Sequence, residues 1–242
     1  MSPGLIPPAM QVFTLAPIRH MWGLFYFLTR NFPKNLDKIF KLYTIYNICL
    51  KIFSTASGVF ALRVISGQAR GRKLLAPEGL DTRPTTDRVK ESMFNLLMPY
   101  LPCNKVLDLF AGSGALGIEA LSRGSQYGIF IEADKAAVRI VKKNLELARQ
   151  TDKAQVVEKD AFAFLSGTST VFDTIFLDPP YNQGLIERSL RLISERGILA
   201  PDGVIVAECE YGGEVPGDEY FKTVKSARYG KTNVFILKNH TL

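Results

Sequence analysis

Cysteine is scarce in this chain. Cys49, Cys103 and Cys209 lie far apart and form no CxxC pair. That excludes a cysteine-built zinc site and a disulfide framework, and it suits a reducing compartment, so a cytoplasmic location is expected. Long apolar runs are also missing. Residues 20–29 are apolar but too few to cross a bilayer, and the apolar stretch from Leu42 to Leu62 is interrupted by Lys51. No stable membrane association is expected. Acids are nearly absent from residues 1–61, where Arg19, Arg30, Lys34, Lys38, Lys41 and Lys51 face Asp37 alone. Of the net charge of +7, that segment holds +5 (six cations, one acid), so the rest of the chain carries only +2. A surface for nucleic acid must therefore come from local clusters, not from overall charge. No internal repeat or low-complexity tract occurs. What remains is globular in composition, 47% hydrophobic and 22% charged, and 242 residues suffice for one α/β domain with an appendage.

The appendage is the start of the chain. Pro3, Pro7, Pro8 and Pro17 break up its first part. Three readings apply to residues 1–61: an interfacial helix, a transit peptide, or a stretch outside the working protein. The last is the expectation adopted. A TTG codon can initiate translation, and Leu62 stands where a clean domain begins. Residues 1–61 are expected to be a poorly ordered or non-native extension, and 62–242 the working domain.

That domain is organised around Asp178-Pro179-Pro180-Tyr181. The preceding Phe172–Leu177 is short, apolar and rich in aromatic and β-branched residues, and predicts a buried parallel strand. Asp178 then sits at the strand's carboxyl end, where open α/β sheets bind ligands. Pro179 and Pro180 remove two N–H donors but keep their carbonyls. A carboxylate beside rigid carbonyls makes an acceptor-only pocket suited to a planar NH2 group. Tyr181 adds a face for stacking a base. The bland alternative is a strand end closed by a proline turn.

A second motif lies upstream. Residues 105–120 (KVLDLFAGSGALGIEA) predict strand, tight turn and helix. Gly112, Gly114 and Gly117 match the dinucleotide fingerprint, and Glu132 ends the next strand twenty residues after Gly112, where an acid holds ribose hydroxyls. An NAD-binding domain is thus a rival. Asp108 argues against it. A carboxylate ~5 Å from a pyrophosphate would cost roughly 3 kcal/mol per charge pair at an effective dielectric of ~20. The same carboxylate attracts an ammonium group. S-adenosylmethionine carries a ribose, an adenine and an ammonium, and no phosphate.

The rest of the pattern alternates β and α. Residues 63–77 predict a small hairpin around Gly67 and Gly71. Arg63, Arg70, Arg72 and Lys73 make it the most basic patch of the domain, either a solvated face or a phosphate contact. Thr86 or Asp87 caps a helix from about Arg88 to Met98, with Arg83 and Arg88 in or beside the loop. Asp134 caps a helix to about Arg149. Ala154–Glu158 is a strand followed by Asp160, which either accepts the adenine amino group or caps the helix 161–165. Leu185–Arg196 is a helix closed by Gly197. Pro201-Asp202-Gly203 turns into strand 204–209, and strands 220–227 and 232–237 flank Gly230.

Residues 63–73, 82–95 (TRPTTDRVKESMFN), 108–120 (DLFAGSGALGIEA) and 229–232 (YGKT), together with DPPY, resemble the RsmD family. These are bacterial 16S rRNA (guanine-N2)-methyltransferases. The resemblance covers about residues 62–240. It implies a Rossmann-like class I methyltransferase: a mostly parallel seven-stranded sheet with an antiparallel last strand, preceded by a small β-hairpin. It implies S-adenosylmethionine held by Asp108, Phe110, Gly112, Ser113, Gly114, Glu132, Asp160 and Ala161. It implies chemistry at Asp178, Pro179, Pro180 and Tyr181, and 16S rRNA gripped by Arg63, Arg70, Arg72, Lys73, Arg83 and Arg88. The substrate would be the rRNA of an assembling 30S particle, the enzyme a monomer, and no metal is needed. Two rivals stay open. One is an adenine-N6 DNA methyltransferase, since DPPY alone does not select the base. The other is a nucleotide-binding module without turnover.

Overall fold

A computed structural model describes residues 62–76, 87–180, 184–210 and 218–240. Residues 1–61 lie outside the described residues, as do Arg83 and Tyr181.

Two short strands, β1 (Leu62–Arg63) and β2 (Lys73–Leu74), pair antiparallel as the expected hairpin. Helix α1 spans Asp87–Leu97 and is followed by a 3₁₀ turn, Met98–Tyr100. It begins at Asp87, within one residue of the sequence expectation. Met93, Phe94 and Leu97 are buried as its spacing requires, with Lys90 beside them. The alternating core then runs β3 (Lys105–Asp108), α2 (Ala115–Ser122), β4 (Tyr127–Glu132), α3 (Lys135–Ala148), β5 (Ala154–Glu158), α4 (Ala161–Gly167), β6 (Phe172–Leu177), α5 (Leu185–Arg196) and β7 (Leu199–Glu210). An antiparallel pair, β8 (Lys222–Tyr229) and β9 (Thr232–Lys238), ends the domain.

Seven strands form one sheet in the order β5-β4-β3-β6-β7-β9-β8. β3 pairs parallel with both β4 and β6, and β9 runs antiparallel to both β7 and β8. This is the class I methyltransferase sheet that the resemblance implies, built on the alternation of β and α that the sequence pattern predicts. The chain winds outward from β3 to β5, then crosses back to β6. That reversal leaves a crevice at the carboxyl ends of β3 and β6, the switch point where such sheets take ligands.

Alternate residues of the central strands feed opposite faces. On one face Ile175 and Leu177 of β6 pack with Leu165 of α4 and with Leu190 and Ile193 of α5. On the other, Phe176 packs with Phe94 of α1, ring centroids 5.7 Å apart, and with Leu116 and Ala120 of α2. A third cluster binds the hairpin to the sheet through Val64, Leu74, Ile118 and Val141.

One boundary differs from the sequence expectation. Pro201-Asp202-Gly203 does not precede β7 but interrupts it. Phe172 pairs with Leu199 and Thr174 with Val204, so five residues of β7 span two of β6. Gly203 fits there because a Cβ would lie 2.8 Å from Leu199 Cδ1 and 3.1 Å from the Asp173 carbonyl.

A buried ion cluster fastens hairpin to core. Glu119 of α2 is 0% exposed and accepts the N–H groups of Ile65 and Ser66 at 2.7 and 2.9 Å. Its carboxylate also meets Arg123 Nε at 2.9 Å and Lys90 Nζ at 3.5 Å. Lys90, 1% exposed, donates to the Arg63 carbonyl as well. Burial lowers the Lys90 pKa, and the neighbouring Glu119 opposes that fall.

Candidate active site

The glycine turn between β3 and α2 depends on left-handed backbone at Gly112 (φ 54°) and Gly114 (φ 76°), where other residues are strained. Gly117 serves another purpose. A Cβ there would lie 2.4 Å from the Phe130 ring, so only glycine lets α2 approach β4. That closeness brings the Gly117 N–H to Asp108 Oδ2 at 3.0 Å. Asp108 is 2% exposed, and its pKa is pushed up to about 7. Burial is the main cause; the Gly117 N–H pulls the other way, and the charge of Glu132 adds a further rise.

Glu132 ends β4 and reaches over the turn. One carboxylate oxygen accepts the Gly112 N–H at 2.8 Å, and the other accepts the Asp134 N–H at 2.9 Å. Two backbone donors thus fix its orientation while each oxygen keeps a second lone pair. Asp134 in turn caps α3 through Ala137 at 2.8 Å, as expected. Asp160 caps α4, its Oδ1 accepting the Ala163 N–H at 2.9 Å. The capping alternative is therefore realised. Ala161 and Phe162 are buried just after it, and Phe162 stands edge-on to Phe110 at 6.4 Å. The Arg188 guanidinium lies 3.8 Å from the Phe162 ring centroid.

Across the crevice, Asp178 follows β6, with Pro179 buried and Pro180 exposed. The Asp178 pKa is raised well above the ordinary carboxylate range, by burial first, then by Glu208 and Asp108. The charge of Asp108 thus reaches Asp178 across the switch point, as their places on paired strands allow. No cluster of three or more His, Cys, Asp or Glu side chains placed to hold a metal occurs among the described residues.

Two of the basic residues have partners within the domain. Arg63 Nε pairs with Asp87 at 2.6 Å, and an Arg72 guanidinium nitrogen donates to the Leu147 carbonyl at 2.8 Å. Both therefore help dock the hairpin. Arg70, Lys73 and Arg88 are exposed.

Three positions had gone unremarked in the sequence. Asn144 is buried and bridges the carbonyl of Ser113 (2.8 Å) to both backbone groups of Leu75 (2.7 and 2.9 Å), tying the glycine turn to the hairpin. Glu119 looked like one more helix residue. Glu208 carries the signal that singled out Asp108 and Glu132, an acid near the carboxyl end of an apolar strand.

The chain matches a family model described as conserved hypothetical protein 95 over residues 62–238. YlbH of Bacillus subtilis is 47% identical over 183 residues, covering 73% of this chain and 98% of its own. Ribosomal RNA small subunit methyltransferase D of Escherichia coli is 42% identical over 160 residues, 66% of this chain and 80% of that protein. Among solved structures, yhhF of Escherichia coli aligns with a TM-score of 0.66 at 39% identity, covering 75% of this chain and 99% of that one.

Proposed function

We propose, on the premise that this chain belongs to the RsmD family, that it transfers a methyl group from S-adenosylmethionine to the exocyclic N2 amino group of a guanine in 16S rRNA. The observation that supports this reading is that Asp178 directly follows β6 while Asp108 ends β3, the strand paired with it, so that the two acids share one switch point.

The residues fit the cofactor. Asp108 is an acid held in a dry glycine turn, which costs stability unless a cation joins it. An ammonium group satisfies that carboxylate; a pyrophosphate would be repelled. Glu132 is oriented for ribose hydroxyls, Gly112, Ser113 and Gly114 would bound the chain of the ligand, and Phe110, Asp160, Ala161 and Phe162 would flank its adenine. The bound cofactor supplies a methyl group already activated on a sulfonium.

The protein's own contribution is to the amine. Its lone pair is delocalised into the base. Asp178 and the Pro179 carbonyl accept the two N–H bonds, favour a pyramidal nitrogen, and stabilise the positive charge that develops on it. Pro180 stiffens the turn, and Tyr181 stacks on an extruded base. Arg70, Lys73, Arg83 and Arg88 contact the RNA backbone, with Arg63 and Arg72 holding the hairpin that presents them. The enzyme acts as a cytoplasmic monomer on an assembling 30S particle and needs no metal.

Incubation with labelled cofactor and, separately, naked rRNA, 30S particles and duplex DNA tests the substrate. Label should enter guanine N2 of 16S rRNA, released as N2-methylguanine on nucleoside digestion. Label in adenine of DNA would replace this reading with the N6 alternative.

The cofactor half makes a separate prediction. With Asp108 titrating near 7 in the ligand-free protein, the Kd for S-adenosylmethionine should rise about 10-fold from pH 8 to pH 6 as the carboxylate protonates. Asp108→Asn should bind weakly and show no such slope. The same substitution should stabilise the ligand-free protein at pH 8. The folded pKa lies above the unfolded 3.8, so the folded state holds the extra proton between them. Stability from this group is full below the unfolded value and is lost as pH rises through about 7. Asn does not ionise, and its Tm at pH 8 should exceed that of the parent, whereas at pH 4 the two should melt close together. Calorimetry and thermal melts at three pH values check both parts.

A further inference from the structure

Strand β7 places a buried acid directly beside the Asp178 turn. Leu177 of β6 pairs in register with Ala207 of β7, so Asp178 and Glu208 are each one residue further along neighbouring strands. Glu208 is still within the ladder, opposite Val234 of β9, and is 4% exposed. It lies two residues beyond Val206, on the sheet face that carries α1 and α2. Asp108 lies two residues beyond Val106 on that same face, and Asp178 two beyond Phe176. An acid buried so deeply at the end of an apolar strand is costly to ionise.

We propose that Glu208 is a positioning residue for the methylation reaction: its carboxylate, set beside Asp178 by the β6–β7 register, tunes Asp178 to receive the proton released by the methylated amine. The inference rests on the role assigned to Asp178 above. After methyl transfer the substrate nitrogen carries a positive charge. One N–H bond breaks, its electron pair stays on nitrogen, and the proton passes to a carboxylate oxygen of Asp178, then to water. A nearby negative charge makes that oxygen a stronger base. The direction agrees with the raised proton affinity of Asp178, in which Glu208 is the leading charged neighbour and Asp108 the next. Cys209 shows the same influence, its thiol pushed up to about 11 by burial and then by Glu208. Other charged groups flank this face. Lys90 and Arg123 both pair with Glu119, Asp87 pairs with Arg63, Lys225 of β8 donates to the Leu96 carbonyl, Glu210 lies two residues beyond Glu208 on β7, and Arg88 and Glu91 are exposed.

The test compares Glu208→Gln with the parent in two ways. The first is the carboxyl carbon signal of Asp178 in ligand-free protein labelled with ¹³C-aspartate, assigned by its loss in Asp178→Asn. Its titration midpoint should fall by about one pH unit or more in Glu208→Gln, because a like charge has gone. The second is the pH dependence of single-turnover methylation at saturating substrates. Asp178 works ionised, so the rate falls as pH drops through its pKa, and in Glu208→Gln this acid limb should move down by the same interval. The plateau rate should drop about 3- to 10-fold as Asp178 becomes a weaker base. Should Glu208→Gln not accumulate as folded protein, Glu208→Asp, which draws the charge back by one methylene, should shift both midpoints in a reproducible way. Unmoved midpoints with a uniformly lower rate would overturn the proposal in favour of a packing role. If Asp178→Asn methylates at the parent rate, the assigned role of Asp178 fails instead; the ¹³C midpoints still report whether Glu208 governs its titration.

Discussion

Asp178→Asn should lower the single-turnover rate of methyl transfer about 10²-fold or more while changing the Kd for S-adenosylmethionine less than about 3-fold. The reason is when the contact matters. In the proposed mechanism the carboxylate accepts a hydrogen bond from the substrate amine, and that bond strengthens only as charge develops on nitrogen. Asn keeps the size and one acceptor oxygen. Its NH2 group would face a donor with a donor, and it cannot take a proton. In the proposed reading, cofactor binding belongs to the other half of the crevice, to Asp108 and Glu132 at the ends of β3 and β4. Isothermal calorimetry and rapid-quench methylation separate the two quantities. An equal loss of binding and rate would show that Asp178 supports the pocket as a whole and would remove it from the chemistry.

Glu119→Ala should be the most damaging substitution for stability, about 3–5 kcal/mol. One fully buried carboxylate serves four donors: the Ile65 and Ser66 N–H groups, Arg123 and Lys90. Alanine would remove the carboxylate that pairs with Lys90 in a dry site, leaving it only the weaker influence of Asp87, and would leave two hairpin N–H groups without their acceptor. At about 2–4 °C for each kcal/mol in a domain of this size, Tm should fall by about 10 °C. Glu119→Gln keeps the shape and one acceptor and should fall less. The loss should reach function through the hairpin: rRNA affinity should weaken more than cofactor affinity, because the residues beside Glu119 carry Arg70 and Lys73. A melt within 1–2 °C of the parent would mean that the cluster contributes nothing net.

Much of the site was legible because it is local. Asp108, Gly112, Gly114 and Gly117 lie on ten consecutive residues whose strand, turn and helix follow from pattern and glycine alone. Asp134 announced itself as a helix cap. Asp160 shows where such reading stops: one residue can cap or bind, and local sequence does not choose. The backbone of Ala163 takes one of its oxygens. Glu132 is a related case. Its position twenty residues after Gly112 marked it for a ribose, but only the fold reveals that it also braces the Gly112 N–H.

What the sequence by itself determined is the order of elements and the acids at strand ends. Periodicity and turn chemistry act over a few residues and need no partner. What only the tertiary structure decided is which of those acids meet. Asp108, Asp178 and Glu208 are 70 and 30 residues apart in the chain, and strand order alone, β3 beside β6 beside β7, brings them to one edge. The same holds for Lys90, Glu119 and Asn144. Each looks like an ordinary polar residue on an amphipathic helix, and each is buried because the hairpin packs over it. Strand pairing and burial depend on contacts across the whole domain, and so do the pKa of a carboxylate and the fate of a buried lysine.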